Sequence, residues 1–198
     1  MIRLFFILTA IGLAPPAAAT TDAWPALYDV INAESDDVLN VRAGPGSSFD
    51  VVGTLDHDAV NVEVIRPDES FEWALINIDE GTGWVSLSFI VPQPGQWVGF
   101  YPEFKWCGGT EPFWSLLRQE GEMTLQQMDG DDIKVPILWE TTSRNHTLRH
   151  AFRAEGMTGV VSVQYCDDGM SDMEFGIELN LLLDGDETLY QGCCSLAP

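Results

Sequence analysis

The chain has 198 residues, 45% hydrophobic and 20% charged, which excludes a disordered polar chain and leaves room for one or two packed domains. Its 31 acidic residues against 9 basic ones give a formal net charge of −22. That balance excludes a phosphate-reading nucleic-acid binder and an electrostatic anchor on anionic lipid, since both need clustered Lys and Arg. Solubility is the simplest consequence, and basic proteins or metal cations are the partners it permits.

Met1-Ile2-Arg3 is a positively charged start, followed by an apolar run from Leu4 to Leu13 and then Ala14-Pro15-Pro16-Ala17-Ala18-Ala19. This is the layout of a secretory signal peptide over residues 1–19, cut after Ala19. The run is too short for a bilayer, whose hydrocarbon core needs about 20 apolar residues. The expectation is a mature chain that is periplasmic or secreted, with no membrane insertion after cleavage.

The next segment reads as short strands: Leu27 to Asn32, Val38 to Arg42, Val51 to Leu55, Val60 to Ile65, Trp73 to Ile78 and Gly83 to Ser86. Turn residues separate them at Gly44-Pro45-Gly46, Asp56-His57-Asp58, Pro67-Asp68 and Glu80-Gly81. Val60-Asn61-Val62-Glu63-Val64 alternates, predicting Val inside and Asn61 and Glu63 outside. Gly44 and Gly46 suit positive φ in a tight turn, and Trp84 suits the cap of a small core. Leu39-Asn40-Val41-Arg42-Ala43-Gly44-Pro45-Gly46, Val51-Val52-Gly53-Thr54-Leu55 and Gly83-Trp84-Val85 together resemble the bacterial SH3 domain family over about 65 residues. The resemblance implies a small barrel outside the cytoplasm and, in some members, binding to cell-wall peptide or glycan. Three residues are candidate ligand contacts. Arg42 could hold a carboxylate or tie its turn to a neighbouring strand. Phe71 and Trp73 could form an aromatic groove or pack inward.

Pro92-Gln93-Pro94-Gly95 marks a linker. Beyond it, Phe113 to Arg118, Met123 to Met128, Ile133 to Glu140, Thr147 to Ala154, Gly159 to Tyr165, Phe175 to Leu183 and Glu187 to Cys193 read as strands. Asp129-Gly130 and Asp184-Gly185 are hairpin signals between them. With no helical period, a meandering antiparallel sheet or barrel follows.

Cys107, Cys166, Cys193 and Cys194 are an even set, read as disulfides in an oxidising compartment. Pairing Cys193 with Cys194 would strain the bond, because adjacent Cα atoms lie closer than a relaxed disulfide prefers. Each therefore pairs with Cys107 or Cys166, on opposite faces of one strand. Gly108-Gly109-Thr110-Glu111-Pro112-Phe113-Trp114-Ser115, Tyr165-Cys166-Asp167-Asp168-Gly169-Met170-Ser171-Asp172 and Gly192-Cys193-Cys194 are similar to a family of uncharacterised bacterial envelope proteins. That resemblance implies Cys166–Cys193 as the basic bridge and Cys107–Cys194 as the additional one. Met173-Glu174-Phe175-Gly176 departs from the family pattern.

Chemistry is sparse. His57, His146 and His150 lack a His-Glu-x-x-His pattern, no Gly-x-Ser-x-Gly elbow exists, and the cysteines lack zinc spacing. Asp167 to Asp172 lacks the alternation of a calcium loop and reads as a turn. Glu111-Pro112-Phe113-Trp114 reads as a strand start with at least one ring in the core. No catalysis, metal or cofactor is expected. The fold class is all-β: an SH3-like barrel over 24–92, a linker over 93–96, and a disulfide-linked β-sheet or barrel over 97–198. The two halves are expected to fold separately, with Cys166–Cys193 the main support of the second. The function expected is non-catalytic binding of cell-wall peptidoglycan or an envelope protein. The alternative is an acidic inhibitor or sequestering partner of a basic wall hydrolase such as lysozyme, drawn in by charge.

Overall fold

Strands, all but one of them five to ten residues long and punctuated by turn residues, account for nearly all regular structure among the described residues. The computed structural model describes residues 23–128 and 130–197, so the expected signal peptide and Asp129 lie outside the described residues. The described residues form fifteen strands, and the one helical piece among them is a 3₁₀ turn at Leu87–Phe89.

The first seven strands are β1 (Ala26–Val30), β2 (Val38–Arg42), β3 (Val51–Asp56), β4 (Val62–Pro67), β5 (Trp73–Ile78), β6 (Gly81–Ser86) and β7 (Ile90–Pro92). They form one sheet in the order β3-β2-β6-β5-β4-β1-β7. Alternate residues point inward, as the two-residue period of a strand requires. Ala26, Tyr28, Val30, Leu39, Val41, Val64, Ala74, Ile76, Val85 and Ile90 therefore meet in a single core. Six strands contribute to that cluster, so the sheet wraps on itself, as an SH3-like barrel does. β7 is too short to announce itself in the sequence, and it forms because Ile90 to Pro92 finds β1, with Tyr28 opposite Pro92 and Val30 opposite Ile90.

Three sequence expectations here are corrected. Asn61 adopts φ 59°, which ends the extended backbone, so β4 starts at Val62 and leaves Val60 61% exposed. Trp84 is half-buried outside the core, and the Arg66 guanidinium lies over its ring at 5.2 Å. Gly44 and Gly46 do not adopt the left-handed conformation. Their small size is used instead: a Cβ on Gly44 would lie 2.6 Å from the Phe49 ring.

The remaining strands are β8 (Trp106–Thr110), β9 (Phe113–Gln119), β10 (Glu122–Gln127), β11 (Ile133–Thr142), β12 (Arg149–Ala154), β13 (Met157–Cys166), β14 (Phe175–Leu183) and β15 (Leu189–Ser195). Each pairs with its sequence neighbour, and β15 pairs with β8, closing an up-and-down barrel of eight antiparallel strands. Phe104, Leu116, Met123, Leu125, Phe152, Met157, Ile177, Leu179 and Leu181 fill it. The barrel is therefore a packed core and not a channel. β8 was hidden in the sequence by Gly108-Gly109, which carry low strand propensity. The glycine at 109 is a close-approach position: a Cβ there would sit 2.3 Å from Trp114 Nε1.

Both implied disulfides are present, Cys107–Cys194 and Cys166–Cys193. Cys194 faces the barrel core, while Cys193 joins Cys166, Phe175 and Trp106 in a separate cluster. Opposite faces of β15 thus carry the two bridges.

The two sheets are joined by more than a tether. Gln93 N–H donates to Leu27 O at 2.9 Å, and the Gln96 side chain bonds both the N–H and the C=O of Leu27. Farther along the contact, Asn77 Nδ2 donates to Glu174 O at 2.9 Å and Asn77 Oδ1 accepts from Glu174 N–H at 3.1 Å. The Glu174 carboxylate holds Arg66 through two hydrogen bonds of 3.1 and 3.3 Å. Glu63, expected outside, is half-buried, with its carboxyl enclosed in this contact. Its Oε2 accepts from the Ser195 hydroxyl, from Leu196 N–H at 2.9 Å and from Ala197 N–H at 3.3 Å. Met173-Glu174-Phe175-Gly176 is thus the segment that grips the first sheet; a Cβ on Gly176 would lie 2.7 Å from Pro25.

Candidate functional site

β2 and β5, with the loops beside them, position two of the three residues singled out from sequence. Arg42, the last residue of β2, and Trp73, the first of β5, line one groove of about 360 Å³, with Asn32, Glu34, Asp37 and Phe89 completing much of its wall. Trp73 is half-buried and stands outside the core cluster, so its ring belongs to the groove wall. Arg42 Nη1 donates to Phe49 O at 2.8 Å, tying down the turn. A guanidinium carries five N–H donors, so this bond leaves donors for a ligand. The groove has acidic groups at Glu34 and Asp37 and a cation at Arg42, an arrangement suited to a zwitterionic, peptide-like ligand.

Phe71 is placed elsewhere. It is 65% exposed, adopts φ 57°, and does not line this groove. The loop that presents it is fixed by Asp68, whose carboxylate accepts from the Ser70 hydroxyl and from the N–H groups of Ser70, Glu72 and Trp73. The Ser70 hydroxyl bond, aided by those backbone donors, outweighs desolvation and lowers the Asp68 carboxyl to about 2. Trp73 therefore receives its backbone placement from an ionised turn residue.

The acidic loop and the Glu111 to Trp114 segment take their structural readings, and the histidines do not pair. Asp168 accepts from Met170 N–H, Ser171 N–H and the Ser171 hydroxyl, so the acidic loop is closed on itself. Trp114 is in the barrel core, while Phe113 is exposed. His146 is exposed in a turn and His150 is buried on β12, so the two do not converge. Among the described residues no group of three His, Cys, Asp or Glu is placed to hold a metal, and no helix is long and apolar enough to cross a membrane.

Sequence reasoning missed a second concavity of about 390 Å³, where Trp24, Trp97, Phe100, Tyr101, Leu148 and His150 come together between the two sheets. No single motif outlines it, because its lining comes from separated stretches near residues 24, 97–101, 148–150, 163 and 196. The unexplained aromatic run Trp97 to Tyr101 was the available signal.

No curated protein matches the chain, and no solved structure does. The family model described as Bacterial SH3 domain matches residues 37–91, which span β2 through β6 and most of β7 and include Arg42, Phe71 and Trp73, so this part of the chain is similar to a bacterial SH3 domain.

Proposed function

We propose that the protein is a non-catalytic binding protein of the bacterial envelope, and that the groove bearing Arg42 and Trp73 takes the peptide part of cell-wall peptidoglycan. The observation that carries this reading is the meeting of those two side chains in one groove inside the span similar to a bacterial SH3 domain. An amino group of the peptide would meet Glu34 and Asp37, a carboxylate would meet Arg42, and apolar surface would cover Trp73. Two disulfides favour an oxidising compartment, where cell wall is accessible. The test is co-sedimentation with purified peptidoglycan. Binding should fall about tenfold in Arg42→Ala and in Trp73→Ala, the loss of one charge-assisted hydrogen bond or one buried ring face. Retention of wild-type binding in both variants would remove the groove from the reading.

The charge of −22 favours a second reading, capture of a basic wall hydrolase. Such binding is steered electrostatically and weakens steeply with salt. A basic lysozyme mixed with the protein at low and high ionic strength separates the two. Salt-labile complex formation untouched by Trp73→Ala supports capture, and its absence leaves the peptide groove.

A further inference from the structure

We infer that the cleft between the two sheets, at the mouth of the eight-stranded barrel, binds an uncharged, mostly apolar molecule carrying a hydroxyl, which pairs with His150 and Tyr101. The inference is independent of the groove on β2 and β5.

Barrel mouths are recurrent ligand sites, and a volume of about 390 Å³ lies within the range that small molecules occupy. The walls are Trp24, Trp97, Phe100 and Leu148. Phe100, Trp97 and Val98 are 62%, 41% and 39% exposed, a contiguous apolar rim of the kind that marks binding sites. The polar end is built. His150 follows the inward alternation of β12 with Phe152 and Ala154 and is only 3% exposed. Its Nδ1 lies 3.0 Å from Thr142 Oγ1. With Nδ1–H donated to that hydroxyl, Nε2 keeps its lone pair. Tyr101 meets the His150 ring edge-on, with centroids 5.6 Å apart. His150 Nε2 and the Tyr101 hydroxyl are both buried, and neither has a hydrogen-bond partner among the described residues. Native interiors rarely leave such atoms unpaired. A ligand hydroxyl would satisfy both, donating to Nε2 and accepting from Tyr101.

The charge of the ligand follows from the surroundings. Burial holds His150 below its ordinary value and Tyr101 above its own, so both are neutral near pH 7. Arg118 lies over the Tyr101 ring at 5.9 Å but is held by Glu140 at 3.1 Å. Glu103 and Lys105 are the charged side chains at the cleft, and both are exposed at its rim, where water screens them, so neither offers a buried partner for an ionic ligand.

The test uses the full oxidised protein with 2-naphthol and 2-methoxynaphthalene, which differ by the hydroxyl hydrogen. By calorimetry, 2-naphthol should bind at one site about tenfold tighter than the ether. His150→Phe should erase that preference, and Phe100→Ala should weaken both probes while keeping their ratio. Trp73→Ala should change neither. Absence of saturable binding, whether solvent or another segment of the chain fills the cleft, overturns the inference. So does a preference that survives His150→Phe. Should that variant not fold, the ¹⁵N shift of His150 Nε2 in the wild type decides: it moves with 2-naphthol and not with the ether, and an unmoved shift overturns the inference.

Discussion

Glu63 shows how far one carboxyl can depart from its position in a pattern. Burial raises its pKa most strongly, and bonds from the Ser195 hydroxyl, Leu196 N–H and Ala197 N–H pull it back only in part. A carboxyl whose folded pKa exceeds its unfolded value favours the folded state when protonated. That stabilisation is complete below about 4.5 and is lost as pH rises through the folded value. Glu63→Gln keeps an acceptor for the three donors and cannot ionise. The melting temperature of the wild type relative to Glu63→Gln should therefore fall as pH rises from 4.5 toward 7. Parallel melting curves for the two proteins across that window would show that Glu63 is not the responsible group. In the sequence, Glu63 looked solvent-facing because alternation reports only which side of a strand a residue takes. The side away from the first core is covered by the second domain.

At the scale of elements, the closing pair β8 and β15 carries the topology of the barrel. Cys107 stands directly opposite Cys194 across that seam, and both sulfurs are in the core. The bridge spans 87 residues, against 27 for Cys166–Cys193. Loop-closure entropy makes the longer bridge worth about 4–5 kcal/mol and the shorter about 3–4 kcal/mol. This reverses the weighting expected from sequence, where the Cys166–Cys193 bridge was given the larger role. Replacing Cys107 and Cys194 together by Ala should lower the unfolding free energy by about 1 kcal/mol more than replacing Cys166 and Cys193. Urea denaturation of the two double variants measures the order directly, and equal losses would mean that packing at the seam holds the barrel shut without its bridge. The strands themselves were largely legible: β2, β5 and β14 keep the bounds read from sequence. β7 and β8 were not, because one has three residues and the other depends on glycines that only a crowded seam requires.

At the scale of the whole molecule, the two sheets are held by contacts beyond the linker expected over 93–96. Asn77 makes a reciprocal pair of hydrogen bonds with the Glu174 backbone, and the same residue's carboxylate holds Arg66. Asn77→Ala leaves those backbone groups unpaired in a half-buried contact and should cost about 1–3 kcal/mol. Calorimetry should show one melt for the wild type and two for Asn77→Ala. An unchanged single melt would place the coupling elsewhere in the contact. What the sequence by itself determined is local: the all-β class, most strand positions, the span similar to a bacterial SH3 domain, and cysteines on opposite faces of one strand. Each follows from a two-residue period, turn chemistry or a contiguous motif. Tertiary structure alone decided the barrel closure, the burial of Glu63, the separation of Phe71 from Arg42 and Trp73, and the cleft around His150. Those features join residues far apart in the chain, and periodicity carries no information about which distant surfaces meet.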